Sequence, residues 1–386
     1  LSLAMPYFNY RVHSSDAAQV SYWQRRDFMQ AWWALYREDS RWTPPDYRRL
    51  GRMIDPRHNL HLRRLQARLI YIEAMYRTGL RRVRTDQQEI PMTSILEKPL
   101  AAAVPLIDPR RKGRTAHVAM LHLSADDEGF DRLLAQLADT YSGLGYRRFI
   151  GPVGLSPHLD SGVLVDSWNE WPPVHTPANP PYLPEMLERR MRPFQMGRLY
   201  HVFVPTQPAP PAPGPANLHL IDPARLADDL LPLLAAFTTN RTAGFPAPDA
   251  VEAFFLLQTL RSASLAACVA IVQDEPVGFM LLGADIAGRL RSAQGGRTLL
   301  GRGRLAMTLG RPVAAGRLYF GGVQAAWRGR GIGRQLWQWA LGEASSRRWQ
   351  QLTIGPVWEH PNGLDMFLRK YGATPRQTYH LYEATF

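Results

Sequence analysis

Leu318-Tyr-Phe-Gly-Gly-Val-Gln-Ala-Ala-Trp-Arg-Gly-Arg-Gly-Ile-Gly-Arg-Gln-Leu336 carries the most specific pattern in this 386-residue chain. An apolar strand runs into Arg328-x-x-Gly331-x-Gly333, and a helix begins at once. Glycines here let the backbone turn tightly and approach a ligand with no Cβ in the way. Amides of the first helical turn then point at an anion, and the helix dipole favours negative charge there. Arg328, Arg330 and Arg334 add charge-assisted hydrogen bonds to phosphate. The stretch reads as a pyrophosphate cradle. A Walker A loop needs Gly-Lys-Ser/Thr, which is missing. A dinucleotide-binding turn needs Gly-x-Gly-x-x-Gly early in a βαβ unit, and neither spacing nor position fits.

Outward from the cradle, the second half alternates strands and helices. Strand signals lie at 218–221, 265–272, 277–284, 318–325, 352–357 and 379–385. Helix signals lie at 223–237, 249–260, 334–347 and 364–370, with Asp222 and Asp249 as N-caps. Gln273-Asp-Glu-Pro276 reads as a hairpin turn. Residues 288–316 are rich in Gly and Arg with weak periodicity, and read as a long loop.

Arg328-Gly-Arg-Gly-Ile-Gly333, with Val323 five residues earlier and this element order around it, resembles the acyl-CoA loop of the GNAT acetyltransferase superfamily. The resemblance covers 217–386. It implies an α+β fold: a twisted mixed, largely antiparallel sheet flanked by helices. It also implies a thioester co-substrate, acetyl-CoA or a longer acyl-CoA, attacked directly by an amine. On that resemblance the amides of Arg328, Gly329, Arg330, Gly331, Ile332, Gly333 and Arg334 hold the CoA diphosphate. The strand at Val323, Gln324 and Ala325 pairs with the pantetheine arm, as does Asn362 after the next strand. A backbone N–H near Val323 polarises the thioester carbonyl. The family often places a thiolate-protonating Tyr where Leu368 stands here. Tyr371, water or no group at all then serves as the acid. Glu359 and His360 have base chemistry just past the strand that borders the acyl group, or form a solvated loop pair.

Between the halves runs Pro205-Thr-Gln-Pro-Ala-Pro-Pro-Ala-Pro-Gly-Pro-Ala216, six of its twelve residues proline. It reads as an extended linker between a 5–204 domain and the 217–386 domain. The first half has strand signals at 116–123, 148–153 and 199–204 and helix signals at 130–144 and 182–191. Phe149-Ile-Gly-Pro-Val153 is echoed by Thr353-Ile-Gly-Pro-Val357, and Leu187, Pro193 and Leu199-Tyr200 line up with Leu368, Pro375 and Leu381-Tyr382. Both echoes point to duplication. The stretches Leu35-Tyr-Arg-Glu-Asp-Ser-Arg-Trp-Thr-Pro-Pro45, Ile54-Asp-Pro-Arg-His-Asn59, Gly151-Pro-Val-Gly154 and Asn179-Pro-Pro-Tyr182 resemble the degenerate GNAT-like domain that precedes a GNAT domain in bacterial tandem proteins. In place of a cradle this half has Ser124-Ala-Asp-Asp-Glu-Gly-Phe130, which repels diphosphate. It is expected to bind no CoA, to stabilise the pair and to help form the acceptor site.

The remaining features leave alternatives open. Trp32, Trp33, Tyr36 and Trp42 are a core cluster or a ligand box. Trp168-Asn-Glu-Trp171 lines an apolar channel or caps the core. His117, His158, Asp160 and His175 fit no standard zinc spacing, and no metal is expected. Basic residues exceed acidic ones 46 to 33, a net +13, and only Lys98, Lys112 and Lys370 are lysines. Arginine-rich codon usage explains that charge, or else an anionic ligand or acidic partner does. A local cluster runs Arg110-Arg111-Lys112-Gly113-Arg114, but no nucleic-acid-binding motif occurs. An acidic acyl carrier protein is a rival donor, with Arg289, Arg291, Arg297, Arg302, Arg304 and Arg311 as its dock, or as a lid or mobile basic loop. A non-catalytic acyl-CoA-binding module is the reading from another class. The acceptor is a small-molecule or peptide amine. A single cysteine, Cys268, in an apolar strand, excludes a disulfide framework and fits a mechanism without a covalent enzyme intermediate. No run of 18 apolar residues occurs, and the N-terminus lacks a signal pattern. A soluble, bacterial cytoplasmic enzyme starting at Met5 is expected.

Overall fold

The computed structural model describes residues 9–85, 88–111, 115–222, 225–237, 245, 247–308, 310–359 and 363–386. The first half contains β1 (Asn9–Asp16), α1 (Tyr22–Tyr36), α2 (Tyr47–Met53), α3 (Leu60–Arg64), β2 (Gln66–Thr85), β3 (Gln88–Ile107), β4 (Thr115–Leu123), α4 (Asp127–Ser142), β5 (Arg148–Val153), β6 (Val163–Leu164), α5 (Tyr182–Glu188) and β7 (Arg192–Phe203). The second contains β8 (Asn217–Leu220), α6 (Leu226–Phe237), α7 (Ala250–Leu260), β9 (Ala266–Val272), β10 (Glu275–Ala284), α8 (Ala287–Ser292), α9 (Leu299–Thr308), β11 (Ala315–Val323), α10 (Ile332–Ser346), β12 (Gln351–Trp358), α11 (Leu364–Lys370) and β13 (Thr374–Thr385).

Local chemistry sets several boundaries. Ser21 and Gln24 close a capping box on α1, and Asp249 accepts from Val251 N and Glu252 N at the start of α7. The β9–β10 hairpin turns on Gln273 and Asp274 alone, both at positive φ, so β10 starts at Glu275 inside the expected turn. Residues 288–316 are not the expected loop: they hold α8 and α9. No residue of α9 is buried, so it carries no core-facing apolar stripe to announce it. The long β2–β3 hairpin was not anticipated.

The strands form one sheet in the order β1-β2-β3-β4-β5-β13-β7-β12-β11-β10-β9-β8. The closing strand of each half lies among the strands of the other: β7 pairs with β12 and β13, and β13 pairs with β5. The sheet therefore does not break at the Pro-rich segment, which runs along α10, with Ala212 and Ala216 held by Gln338 and Gln335. The register of β7 against β13 sets Pro193 opposite Tyr382 and Pro375 opposite Tyr200. The aligned positions of the two halves thus pair with each other's counterparts, as a pseudo-two-fold axis requires. The Ile-Gly-Pro echoes fall in β5 and β12, each the parallel neighbour of one strand, β4 and β11 respectively. Tyr200, Leu381 and Tyr382 are buried along the shared strands.

Candidate functional site

Opposite β10, Leu281 pairs with Phe320 and Leu282 with Leu318, so Tyr319 is an extra residue in β11. Such a bulge bends the strand and loosens its pairing. On its other edge, the parallel ladder to β12 ends at Leu318–Ile354. The two strands part there, opening a cleft of about 560 Å³. Its walls include Phe320 to Val323, Ile354 to Trp358, Trp337, Phe367 and Tyr371.

The cradle lies at the mouth. Gly329 and Gly331 have φ of +77° and +89°, and a Cβ at either would meet nothing within 4 Å. Both need glycine for conformation, and the space beside them is open. α10 starts at once, with no side chain capping its N-terminus, so no side chain satisfies the amides of its first turn. Arg328, Gly329, Gly331, Gly333 and Arg334 line the cleft, as does Val323, whose carbonyl accepts from Arg328 Nε at 3.0 Å. Arg330 stacks on Trp327, 4.7 Å from the ring centre, and the Ile332 side chain is in the core. Gln324 and Ala325 fall outside the cleft lining, with Gln324 N bonded to Val277 O.

The expected acid and Glu359 separate. Tyr371 reaches the cleft, its ring 4.7 Å from Phe367. Leu368 is buried and also lines the cleft. Glu359 does not reach the cleft lining: its carboxylate is half exposed, 3.6 Å from Arg198, because its amide continues the β12–β7 ladder to Met196 O. His360 and Asn362 lie outside the described residues. Cys268 is fully buried in β9, and burial pushes its thiol up to about 12.

The first half closes the inner end of the cleft with His158, Asp160, Ser161 and His175. Sequence spacing pointed at three of these only as doubtful metal ligands. Among the described residues no three His, Cys, Asp or Glu side chains form a metal-ligand group, and His117 sits apart, against Phe245 and Arg111. His175 Nδ1 is 3.5 Å from Asp160 Oδ2. The segment around His175 is fixed by the second half. Buried Arg317 of β11 donates to Val174 O, Thr176 Oγ1 and Gly355 O. Asp285 accepts from Val174 N at 3.0 Å. Tyr319, 6.1 Å from His175 between ring centres, is partly buried with its hydroxyl enclosed, which raises the hydroxyl pKa against the opposing pull of Arg317.

A second cavity, about 190 Å³, occupies the corresponding place in the first half, beside Met120 to His122 and Pro152 to Leu155. Trp32, Tyr36 and Trp42 are buried and form part of its wall, while Trp33 packs beside them. Ile286, Leu290 and Leu305 of the 285–308 segment roof it. That segment is anchored: Arg291 donates to Thr43 Oγ1 at 2.8 Å and lies over Trp171, 4.2 Å from the ring centre. Trp168 packs on the core beneath. Much of the basic charge is likewise engaged. Arg110 pairs with Asp108, Asp249 and fully buried Glu252, joining the two halves. Lys112, Gly113 and Arg114 lie outside the described residues. No helix among the described residues is long and apolar enough to cross a membrane.

No protein-family model matches the sequence, and no curated protein does. Solved structures do match. A tandem GNAT protein from the clavulanic acid biosynthesis pathway aligns over 98% of both chains, with a TM-score of 0.56 at 12% identity. A probable N-acyltransferase from Enterococcus faecalis V583 aligns over 98% of this chain and 73% of its own, with a TM-score of 0.51 at 7% identity. The GCN5-related glucosamine N-acetyltransferase region of a fungal multi-domain GH3 β-N-acetylglucosaminidase aligns over 98% of this chain and 38% of that one, with a TM-score of 0.50 at 15% identity. The chain has the tandem GNAT fold.

Proposed function

We propose that the protein is an N-acyltransferase that moves an acyl group from acyl-CoA to an amine in the cleft of its second half. The observation that carries this reading is the uncapped start of α10, with Gly329 and Gly331 open at the mouth of a cleft where β11 and β12 part. The amides of Arg328 to Arg334 would hold the diphosphate, with Arg328 and Arg334 adding charge-assisted bonds. The freed edge of β11 up to Val323 would pair with the pantetheine arm and polarise the thioester carbonyl. Tyr371, which lines the cleft, would return a proton to the leaving thiolate. Much of the acceleration on this account is positioning.

Acetyl-CoA is the default donor. An acyl group on an acidic carrier protein is the second reading, favoured by Leu299 and Leu300 of α9, 81% and 88% exposed beside Arg297, Arg302 and Arg304. Native mass spectrometry and calorimetry against acyl-CoAs from acetyl to palmitoyl test the proposal. Binding that Gly331→Glu abolishes is expected, and the chain-length profile names the donor. Binding without thiol release across an amine panel would reduce the protein to a binding module. No binding to any acyl-CoA would overturn the CoA reading and make carrier-protein pull-down the next step.

A further inference from the structure

Asp160 and His175 line both cavities, the donor cleft and the aromatic chamber of the first half, and they face each other across 3.5 Å. Both residues are non-glycine and sit in the left-handed region, at φ of 54° and 56°. Such conformations are costly and persist where surrounding structure fixes them. Here Arg317 and Asp285, both from the second half, grip the residues on either side of His175. The junction between the two cavities is therefore a built feature.

The chamber's polar groups are already engaged. His122 Nδ1 meets Trp32 O at 3.0 Å, its ring stacks on Trp32 and Tyr36, and burial holds its pKa down to about 3. Asn179 bonds Leu164 through both its N–H and its carbonyl. Thr176 serves Arg317, Arg49 donates to Thr259 O, and Asp46 caps α2. What remains toward the interior is aromatic and aliphatic surface: Trp32, Trp42, Met53, Leu290 and Leu305. A carboxylate and an imidazole stand where its wall meets the donor cleft. An apolar chamber with an acid–imidazole pair at one end suits an amine carried on an apolar body.

Resting on the acyl-transfer reading, we propose that the first-half chamber is the acceptor site, that it takes an amine with an aromatic or aliphatic body, and that His175 is the general base. Asp160 attracts the amine end and orients the imidazole through Nδ1, leaving Nε2 free to accept. The amine attacks as the neutral base. Its nitrogen forms a bond to the thioester carbon, the carbon–sulfur bond breaks, and sulfur leaves with the electron pair. The nitrogen's surplus proton goes to His175 Nε2. Tyr371 protonates the thiolate, and the proton on His175 returns through solvent to Tyr371. The products are the amide and the free thiol, with both side chains restored. The 3.5 Å separation is at the long end of a hydrogen bond, as is common for catalytic pairs before substrate binds.

The test uses the full chain with 2-phenylethylamine as probe and glucosamine as polar control. First, tryptophan fluorescence reads amine binding without a donor, since Trp32 and Trp42 line the chamber. Phenylethylamine should quench it saturably, and Leu290→Trp, which fills the roof, should weaken binding at least about tenfold. Second, thiol release from acetyl-CoA reads turnover. His175→Ala and His175→Gln should lower kcat at least about a hundredfold, with the acetyl-CoA Kd within about twofold. Added imidazole should restore part of the His175→Ala loss, which a merely structural role would not allow. Phenylethylamine that fails to bind, or binds equally to Leu290→Trp, overturns the acceptor site. Wild-type kcat in His175→Ala overturns the base. Neither result touches the acyl-CoA reading, which fails separately if acetyl-CoA does not bind.

Discussion

Two helices start at matching places in the two halves, α4 after β4 and α10 after β11, and their first turns are opposites. α10 has no capping side chain, and Gly329 and Gly331 before it face open space. α4 is capped by Asp126, which accepts from Gly129 N at 2.7 Å, and its first turn adds Asp127 and Glu128. Arg189 and Arg190 pair with Asp127 at the surface. A Cβ on Gly129 would come within 2.7 Å of Leu100. The space beside β4 differs in the same sense. Trp32 Nε1 donates to Met120 O at 2.8 Å, so an indole covers the strand that in the other half borders the donor cleft. The same fold starts one helix uncapped beside open glycines and the other on a side-chain cap. The first half has kept only a smaller chamber.

The comparison is broken most forcefully at the indole. Trp32→Ala should cost about 3–5 kcal/mol of stability, read from denaturant unfolding, because a buried aromatic leaves a large void. The molecules that remain folded should bind acyl-CoA within about twofold of wild type, since the cradle lies in the other half. Gly331→Glu should do the reverse. A carboxylate in the cradle, at a φ of +89°, should weaken acyl-CoA at least about a hundredfold in calorimetry. The side chain at that left-handed φ should also cost about 1–2 kcal/mol of stability in denaturant unfolding, less than the void left by Trp32→Ala.

The contacts between the halves give a pH signature. Burial would raise the Asp249 carboxyl, but hydrogen bonds from Arg64 and Glu252 N and the charge of Arg110 outweigh it and hold the group at about 2, below its ordinary 3.8. A depressed folded-state pKa stabilises fully above the ordinary value and is lost as pH falls through the folded one. The melting temperature should therefore drop between about pH 4 and pH 2, and less steeply in Asp249→Asn. The smallest effect sharpens the comparison itself. Asp126→Ala should cost about 1 kcal/mol in denaturant unfolding as a lost cap. It should confer no acyl-CoA binding in a Gly331→Glu background, because Leu100 still fills the space.

The glycine turn into α10 was legible because its pattern is local: glycine and arginine spacing, then a helix, within six residues. The β5 and β12 echo was legible for the same reason, and α11 matches its expected bounds at Leu364–Lys370. The exchange of β7 and β13 was not, because strand pairing over such separations leaves no local mark. α8 and α9 were hidden by Gly and Arg in a segment whose second helix buries nothing. Asp160 and His175 are fifteen residues apart, and it takes Arg317 on a strand of the other half to set their geometry. Glu359 looked suitable by residue type, yet the pairing of β12 with β7 sets it beside Arg198.

The most direct measurement is the stoichiometry of acetyl-CoA binding to the full chain by isothermal titration calorimetry. One site per chain, lost in Gly331→Glu and retained in Asp126→Ala, is the predicted result. Two sites per chain, or one that survives Gly331→Glu, would contradict the division of roles between α4 and α10.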